Sequence, residues 1–364
     1  TIIYKKLSKN FKSLKKLFFK YKILSKKNYL SEKQIKSLLD DFKKYFPNRK
    51  DQLCSNDIIQ FSNNINKILN LLNDYDLIQA YSTDPLIPML CEKYPYIAYE
   101  HGTLRTIPFE NNPVARLTSL SYKKARAVFI TNCDQDNLES VEKLKIDNEK
   151  KHYIPHAFNY KRLHNYASNR LFQRRICPPY KFIMACRQHW TDNDICLSKG
   201  NDTFIKALPF LIENNFPFKL SLVEWGVDVE ETKDLISQLK IENYIEWIPL
   251  QPKSKLWDMY LKYDLLVDQF AISVISGCTF EALALGCPVL TAANHKINKN
   301  FFGEAPPLIS ANDPKEIGIQ IIKLFSSDSN YLKISRESIN WIVNYHSAER
   351  IANIQSKVYS SILI

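Results

Sequence analysis

The chain has 364 residues, 45% of them hydrophobic and 24% charged, with a net charge of +12. These are globular proportions, and no apolar run reaches the roughly 18 residues needed to span a membrane. The charge is uneven: residues 1–50 carry 16 Lys/Arg against 3 Asp/Glu, and the remainder balances at 34 against 35. A near-neutral body argues against a nucleic-acid partner, which would need cations along a groove. The 8 cysteines contain no C-x-x-C pair and no Cys/His cluster at zinc spacing, so they read as thiols in a reducing cytoplasm.

In chain order, the start, TIIYKKLSKN, has neither a signal-peptide core nor a Met, which reads as a fragment of a longer chain. Residues 10–27 set Phe11, Leu14, Leu17, Phe18, Tyr21 and Leu24 near one helical face and lysines on the other. Such a basic amphipathic helix either packs on a domain or lies on an anionic membrane face. Residues 30–73 read as two polar helices, and nothing before residue 76 reads as a strand. Apolar strand-like runs follow at 76–82, 96–102, 127–132 and 152–158. A polar, basic break at 165–180 contains Pro178-Pro179 and reads as a linker. Strand-like runs resume at 181–187, 219–226, 244–250, 264–270 and 288–292, with helices at 201–214, 229–240, 253–262 and 278–286. This alternation predicts parallel sheets in an α/β chain of two Rossmann-like domains. Their expected bounds are 1–172, with a basic appendage at 1–50, and 173–345, followed by a terminal segment 346–364.

Ligands of open parallel sheets bind beyond the carboxyl ends of the strands, at helix N-termini. In the C-terminal domain those ends carry Arg187, then Lys199-Gly200, Glu224 and Gly226, Leu250, Asp268, and Gly277-Cys278-Thr279 with Glu281 beyond. Five of only 7 glycines (102, 200, 226, 277 and 286) sit at such ends or at helix edges. The pattern suits a phosphate: Gly277 lets the backbone approach, amides at 278–280 face outward, and the helix dipole favours an anion. Arg187 and Lys199 supply a cationic clamp. Glu281, placed in the helix's first turn, suits either a sugar diol or the dipole alone.

The run GCTFEALALGCPVL (277–290), with CRQHW and SKGNDTFIKA upstream (186–190 and 198–207), resembles the nucleotide-sugar signature of GT-B glycosyltransferases, particularly the retaining family 4 type. EHGTLRTIPF (100–109), FITNCDQDN (129–137) and YIPHAF (153–158) are similar to that family's N-terminal half, and residues 341–363 resemble its terminal helix, which crosses back to the first domain. The resemblance covers about 76–364. It implies two facing Rossmann-like domains with an active-site cleft between them, and a hexosyltransferase-like enzyme acting with retention. The implied donor is a UDP- or GDP-linked sugar and the implied acceptor a glycan or lipid-linked hydroxyl. Carried over, Arg187 and Lys199 hold the diphosphate and Glu281 the ribose. Gly277, Cys278 and Thr279 give amides to the phosphates, and Leu250 meets the base. His101, flanked by Glu100, Gly102 and Arg105, lies on the acceptor side near the transferred sugar. One departure stands out: Ser273 occupies the place of a second Glu eight positions before Glu281, with Asp268 and Glu224 as candidate substitutes.

Two Asp-x-Asp triplets, at 134–136 and 192–194, lack the strand context of a metal–diphosphate site, so neither metal nor cofactor is expected. His156, His189 and His346 read as hydrogen-bonded loop histidines. No G-x-S-x-G, Walker or G-x-G-x-x-G motif occurs. The expected enzyme is cytoplasmic and peripheral at the inner membrane face. The competing readings are a degenerate sugar-nucleotide-binding protein and a same-fold epimerase or phosphorylase.

Overall fold

The computed structural model describes residues 2–4, 30–62, 65–131, 134–163, 176–193 and 197–364. The amphipathic helix expected at 10–27 and most of the linker expected at 165–180 lie outside these residues. The chain divides into one unit of Thr1–Asn132, Asp136–Ile154 and Asn353–Ile364, and a second of Cys133–Gln135 and Pro155–Ala352.

The first unit holds a sheet of β1 (Ile2–Tyr4), β2 (Leu77–Tyr81), β3 (Tyr96–Tyr99), β4 (Ala127–Ile130) and β5 (Lys151–Tyr153), in that spatial order. β2 to β5 run parallel and match the expected runs, while β1 pairs antiparallel with β2. This corrects the expectation that no strand precedes residue 76. Three residues are too few to show a period of two, so β1 is defined by its partner alone. Residues 30–73 form three helices, Glu32–Tyr45, Ser55–Ile59 and Ile65–Leu72, where two were expected. The first opens on a reciprocal cap between Ser31 and Gln34 and buries Leu38 and Phe42. Arg116, on the helix Pro113–Lys124, pins this region. Its guanidinium grips Asp57 through bonds of 2.8 and 2.9 Å, with both side chains nearly buried. From the chain's last helix, Tyr359 donates to Gln79 on β2 at 2.6 Å.

The second unit holds β6 (Tyr180–Met184), β7 (Phe218–Glu224), β8 (Ile245–Pro249), β9 (Leu265–Val267), β10 (Val289–Thr291) and β11 (Ile309–Ser310), all parallel, in the order β11-β10-β9-β6-β7-β8. β6 to β10 were legible as apolar runs; β11, at two residues, was not. Helices cover both faces, which is why the strands are apolar on both sides. Phe182, Met184 and Leu222 pack with Phe204, Leu208 and Ile317. Ile183 and Leu266 point the other way, into Phe280, Leu283 and Trp341. The single helix expected at 201–214 is two, Asn201–Ile205 and Leu208–Glu213. Pro209 has no N–H to continue the first and suits the opening turn of the second. The chain starts at the middle of this sheet in β6, winds outward through β7 and β8, then recrosses to β9 and winds the other way. β6 and β9 are therefore the neighbours between which the winding reverses, and the crevice beyond their carboxyl ends is where such sheets bind ligands.

Candidate functional site

Arg187 and Lys199 follow β6, and Asp268 follows β9. Arg187 donates from Nη2 to the carbonyl of Leu197 at 2.7 Å, while its buried Nε has no hydrogen-bond partner among the described residues. The Lys199 amide donates to His189 O at 2.5 Å, and the Phe270 amide donates to Lys199 O at 2.7 Å. The Lys199 ammonium bonds Gln269 Oε1 at 2.6 Å. Gln269 thus draws the cation to the end of β9 while its own Nε2 holds Val274 O at 2.7 Å. The sequence places Gln269 beside Asp268 at this strand end, but nothing in DLLVDQF marks it as the partner of Lys199.

Asp268 is buried and faces the helix Gly277–Ala284. Its carboxylate accepts the hydroxyls of Ser276 and Thr279, the latter at 2.6 Å, and the thiol of Cys278 at 3.4 Å. Burial, and then the Asp268 charge, push the Cys278 thiol well above its ordinary range. Asp268 therefore orders the start of this helix. Ser276 is the N-cap, taking the Thr279 amide at 3.4 Å, and the Phe280 amide donates to Ser276 O at 3.3 Å. This corrects the expectation that amides 278–280 all face outward: those of Gly277 and Cys278 have no acceptor among the described residues, whereas those of Thr279 and Phe280 are engaged by Ser276. An added Cβ at Gly277 would meet no atom within 4 Å, and the residue's φ is not positive. The protein itself has room there for a side chain.

Glu281 lies on the helix's second turn, because Ser276 starts the helix earlier than the sequence suggested. A cap-region role for its carboxylate is thereby removed. It is 4% exposed, and its oxygen bonds Lys253 Nζ at 2.6 Å. Lys253, the first residue of the helix Lys253–Lys262, was not anticipated. Ser273 lies in the loop between β9 and Ser276. Of its candidate substitutes, Asp268 is engaged as described, and Glu224, at the end of β7, pairs with Lys233 at 2.8 Å. Leu250 is exposed just past β8, whose Pro249 pairs with Glu224 at the end of β7, and Trp225 and Val227 beyond β7 are exposed as well. Gly226 abuts the chain after β6: φ is +122°, and a Cβ there would stand 2.2 Å from Gln188 O.

On the first unit, Glu100 ends β3 and is fully buried. Its carboxylate accepts the amides of Gly102 and Thr131, the latter at 3.1 Å, so it shapes the turn that leaves His101 exposed. Gly102 has φ +77°. Arg105 is half-exposed and accepts Ser140 Oγ at its carbonyl, 3.0 Å. Among the other histidines, His189 faces Asp192 at 3.4 Å and His346 bonds the His156 carbonyl at 2.8 Å. Among the described residues, no three His, Cys, Asp or Glu side chains converge as metal ligands, and no helix is long and apolar enough to cross a membrane.

The strand order from β8 through β7, β6, β9 and β10 to β11 is that of a doubly wound, nucleotide-binding class of domain. Residues 195–341 match the family model of glycosyl transferases group 1. Among solved structures, Anabaena HepE in complex with UDP is similar at a TM-score of 0.63 and 16% identity, over 84% of each chain. Sucrose-phosphate synthase from Thermosynechococcus elongatus is similar at 0.59 and 13%, over 81% of this chain and 75% of that one. A glycosyltransferase from Rickettsia africae is similar at 0.58 and 17%, over 82% and 80%. No curated protein sequence matches the chain. The chain shares the GT-B fold of these glycosyltransferases, and its residues 195–341 match the group 1 family.

Proposed function

We propose that the protein transfers a sugar from a nucleotide-diphospho-sugar, UDP- or GDP-linked, to a hydroxyl of a glycan or lipid-linked acceptor, with retention. One observation carries this reading. The two acceptor-less amides of Gly277 and Cys278 open a helix next to the β6–β9 reversal, on whose strand ends Arg187 and Lys199 stand. That is an anion site built from backbone amides and two cations. Glu281 is the carboxylate for the ribose and Leu250 the main-chain contact for the base. The UDP and UDP-glucose complexes of HepE support a uridine donor. In the reaction, the acceptor oxygen bonds the anomeric carbon as the bond to the diphosphate oxygen breaks, and the hydroxyl proton passes to that oxygen on the same face. Arg187, Lys199 and the helix dipole stabilise the departing charge without a metal. His101, with Glu100, Gly102 and Arg105 ordering its turn, is the acceptor-side group. The bounds 1–172, 173–345 and 346–364 are the proposed division of labour. A cytoplasmic enzyme held at the inner membrane face by residues 10–27 fits their basic, amphipathic sequence.

A second reading, a sugar-nucleotide-binding protein without transfer, is favoured by Ser273 and by the engagement of Asp268 and Glu224 elsewhere. Titration with UDP-, GDP-, ADP- and CMP-sugars, followed by product analysis with candidate acceptors, separates the two. Binding with neither transfer nor hydrolysis of the bound donor favours the second, and no binding of any nucleotide refutes both.

A further inference from the structure

Asp228 is the N-cap residue of the helix Val229–Gln238, yet its carboxylate makes no bond to that helix. An N-cap Asp ordinarily stabilises its own helix by about 1 kcal/mol. Here the carboxylate reaches sideways to the chain leaving β6. Oδ2 accepts the amides of Trp190 and Thr191 at 2.5 and 2.8 Å, and Oδ1 accepts the Thr191 hydroxyl at 2.8 Å. Asp228 is buried, and although burial opposes it, the Thr191 and Trp190 amides hold its carboxyl below the usual range.

The surrounding bonds repeat the same connection. The Asp228 amide donates to Gln188 O at 3.0 Å, and the Gln188 amide donates to Trp225 O at 2.8 Å. The Trp190 indole donates to Thr232 at 2.9 Å. Gly226 admits the approach, since any Cβ there would strike Gln188. Residues 188–191 are thus laced onto 225–232. Arg187 immediately precedes them, and His189 hands the constraint on: its carbonyl takes the Lys199 amide and its own amide bonds Asn201 Oδ1 at 3.0 Å.

We propose that Asp228 is a positioning residue for the anion site: without touching the ligand, it holds residues 188–191 after β6 so that Arg187 and Lys199 face a nucleoside diphosphate. This rests on the donor-site reading above. Flexible cations lose conformational entropy on binding, and a docked loop has already lost it. The effect belongs to phosphate affinity and not to the nucleoside portion, whose proposed contacts lie past β8 and at Glu281.

The test measures Asp228→Ala and Asp228→Asn against the wild type, with UDP or GDP, whichever the wild type binds, and with the matching nucleoside. Asp228→Ala weakens the diphosphate by about tenfold or more, the worth of one charge-assisted bond, and leaves the nucleoside within about twofold. Asp228→Asn, keeping one acceptor oxygen, falls between. Thr191→Val removes only the hydroxyl bond and gives a smaller loss of the same selectivity should the Asp228 variants fold poorly. Unchanged diphosphate affinity overturns the proposal, as does an equal loss for both ligands. A wild type that binds no nucleotide refutes the donor site itself.

Discussion

Replacing Gly277 with Ala separates what the fold requires from what a ligand requires. An added Cβ at residue 277 has nothing within 4 Å and no positive φ to strain. Alanine is the better helix former by about 0.5–1 kcal/mol in helix interiors, and by less at a first position. For a unit of this size that places Tm between unchanged and about 3 °C higher. Nucleotide binding should move the other way. The new methyl stands beside the acceptor-less amides of Gly277 and Cys278, and loss of one charge-assisted bond there costs about 1.5–3 kcal/mol, or about tenfold to hundredfold in Kd. Gly226→Ala is the contrast: at φ +122° its Cβ would lie 2.2 Å from Gln188 O and 2.6 Å from Gln188 N. These are backbone atoms that cannot swing aside. Strain of about 1–3 kcal/mol, with two bridging hydrogen bonds lost at about 1 kcal/mol each, predicts a destabilisation of about 3–5 kcal/mol. Scanning calorimetry and titration calorimetry on both variants give the comparison. Destabilisation at Gly277 comparable to that at Gly226, or wild-type nucleotide affinity in Gly277→Ala, would refute the reasoning.

Three further outcomes are expected. His346 is fully buried among Phe280, Phe302 and Trp341, and burial pushes its pKa down from 6.5 to about 3. The unfolded chain then binds the extra proton below pH 6.5, so stability drops by about 2 kcal/mol between pH 6.5 and 5, a slope that His346→Gln should remove from urea midpoints. Arg116→Met strands Asp57 as a buried, unpaired carboxylate and should cost about 3–5 kcal/mol, with much recovered in Arg116→Met/Asp57→Leu; additive losses in chemical denaturation would contradict this. Lys253 is 74% exposed at its side chain where it covers Glu281. Lys253→Met should tighten nucleotide binding about twofold to fivefold, the worth of an exposed ion pair, if the ribose must displace the ammonium; weaker binding would show that the lysine helps hold the ligand.

Much of the second unit was legible along the chain. Apolar runs bounded by turn residues marked β6 to β10 because strand patterning is local. Arg187, Lys199 and Gly277 fell at strand ends once the runs were drawn. What each polar group does was not legible. Asp268 and Glu224 looked alike as carboxylates for a donor, yet the structure engages one on Ser276 and Thr279 and the other on Lys233. Nothing in the sequence marked Asp228, whose carboxylate turns to the amides of Trp190 and Thr191. β1 and β11 were too short to carry a period. By itself the sequence determined the alternation of strands and helices, the two-domain α/β class and the positions of glycine and charge at strand ends. Only the tertiary structure decided the strand order, the reversal between β6 and β9, and which acids remain for a ligand. Those depend on contacts between residues tens of positions apart, such as Lys199 with Gln269 and Glu281 with Lys253, and a buried polar group takes the partner that the fold brings to it.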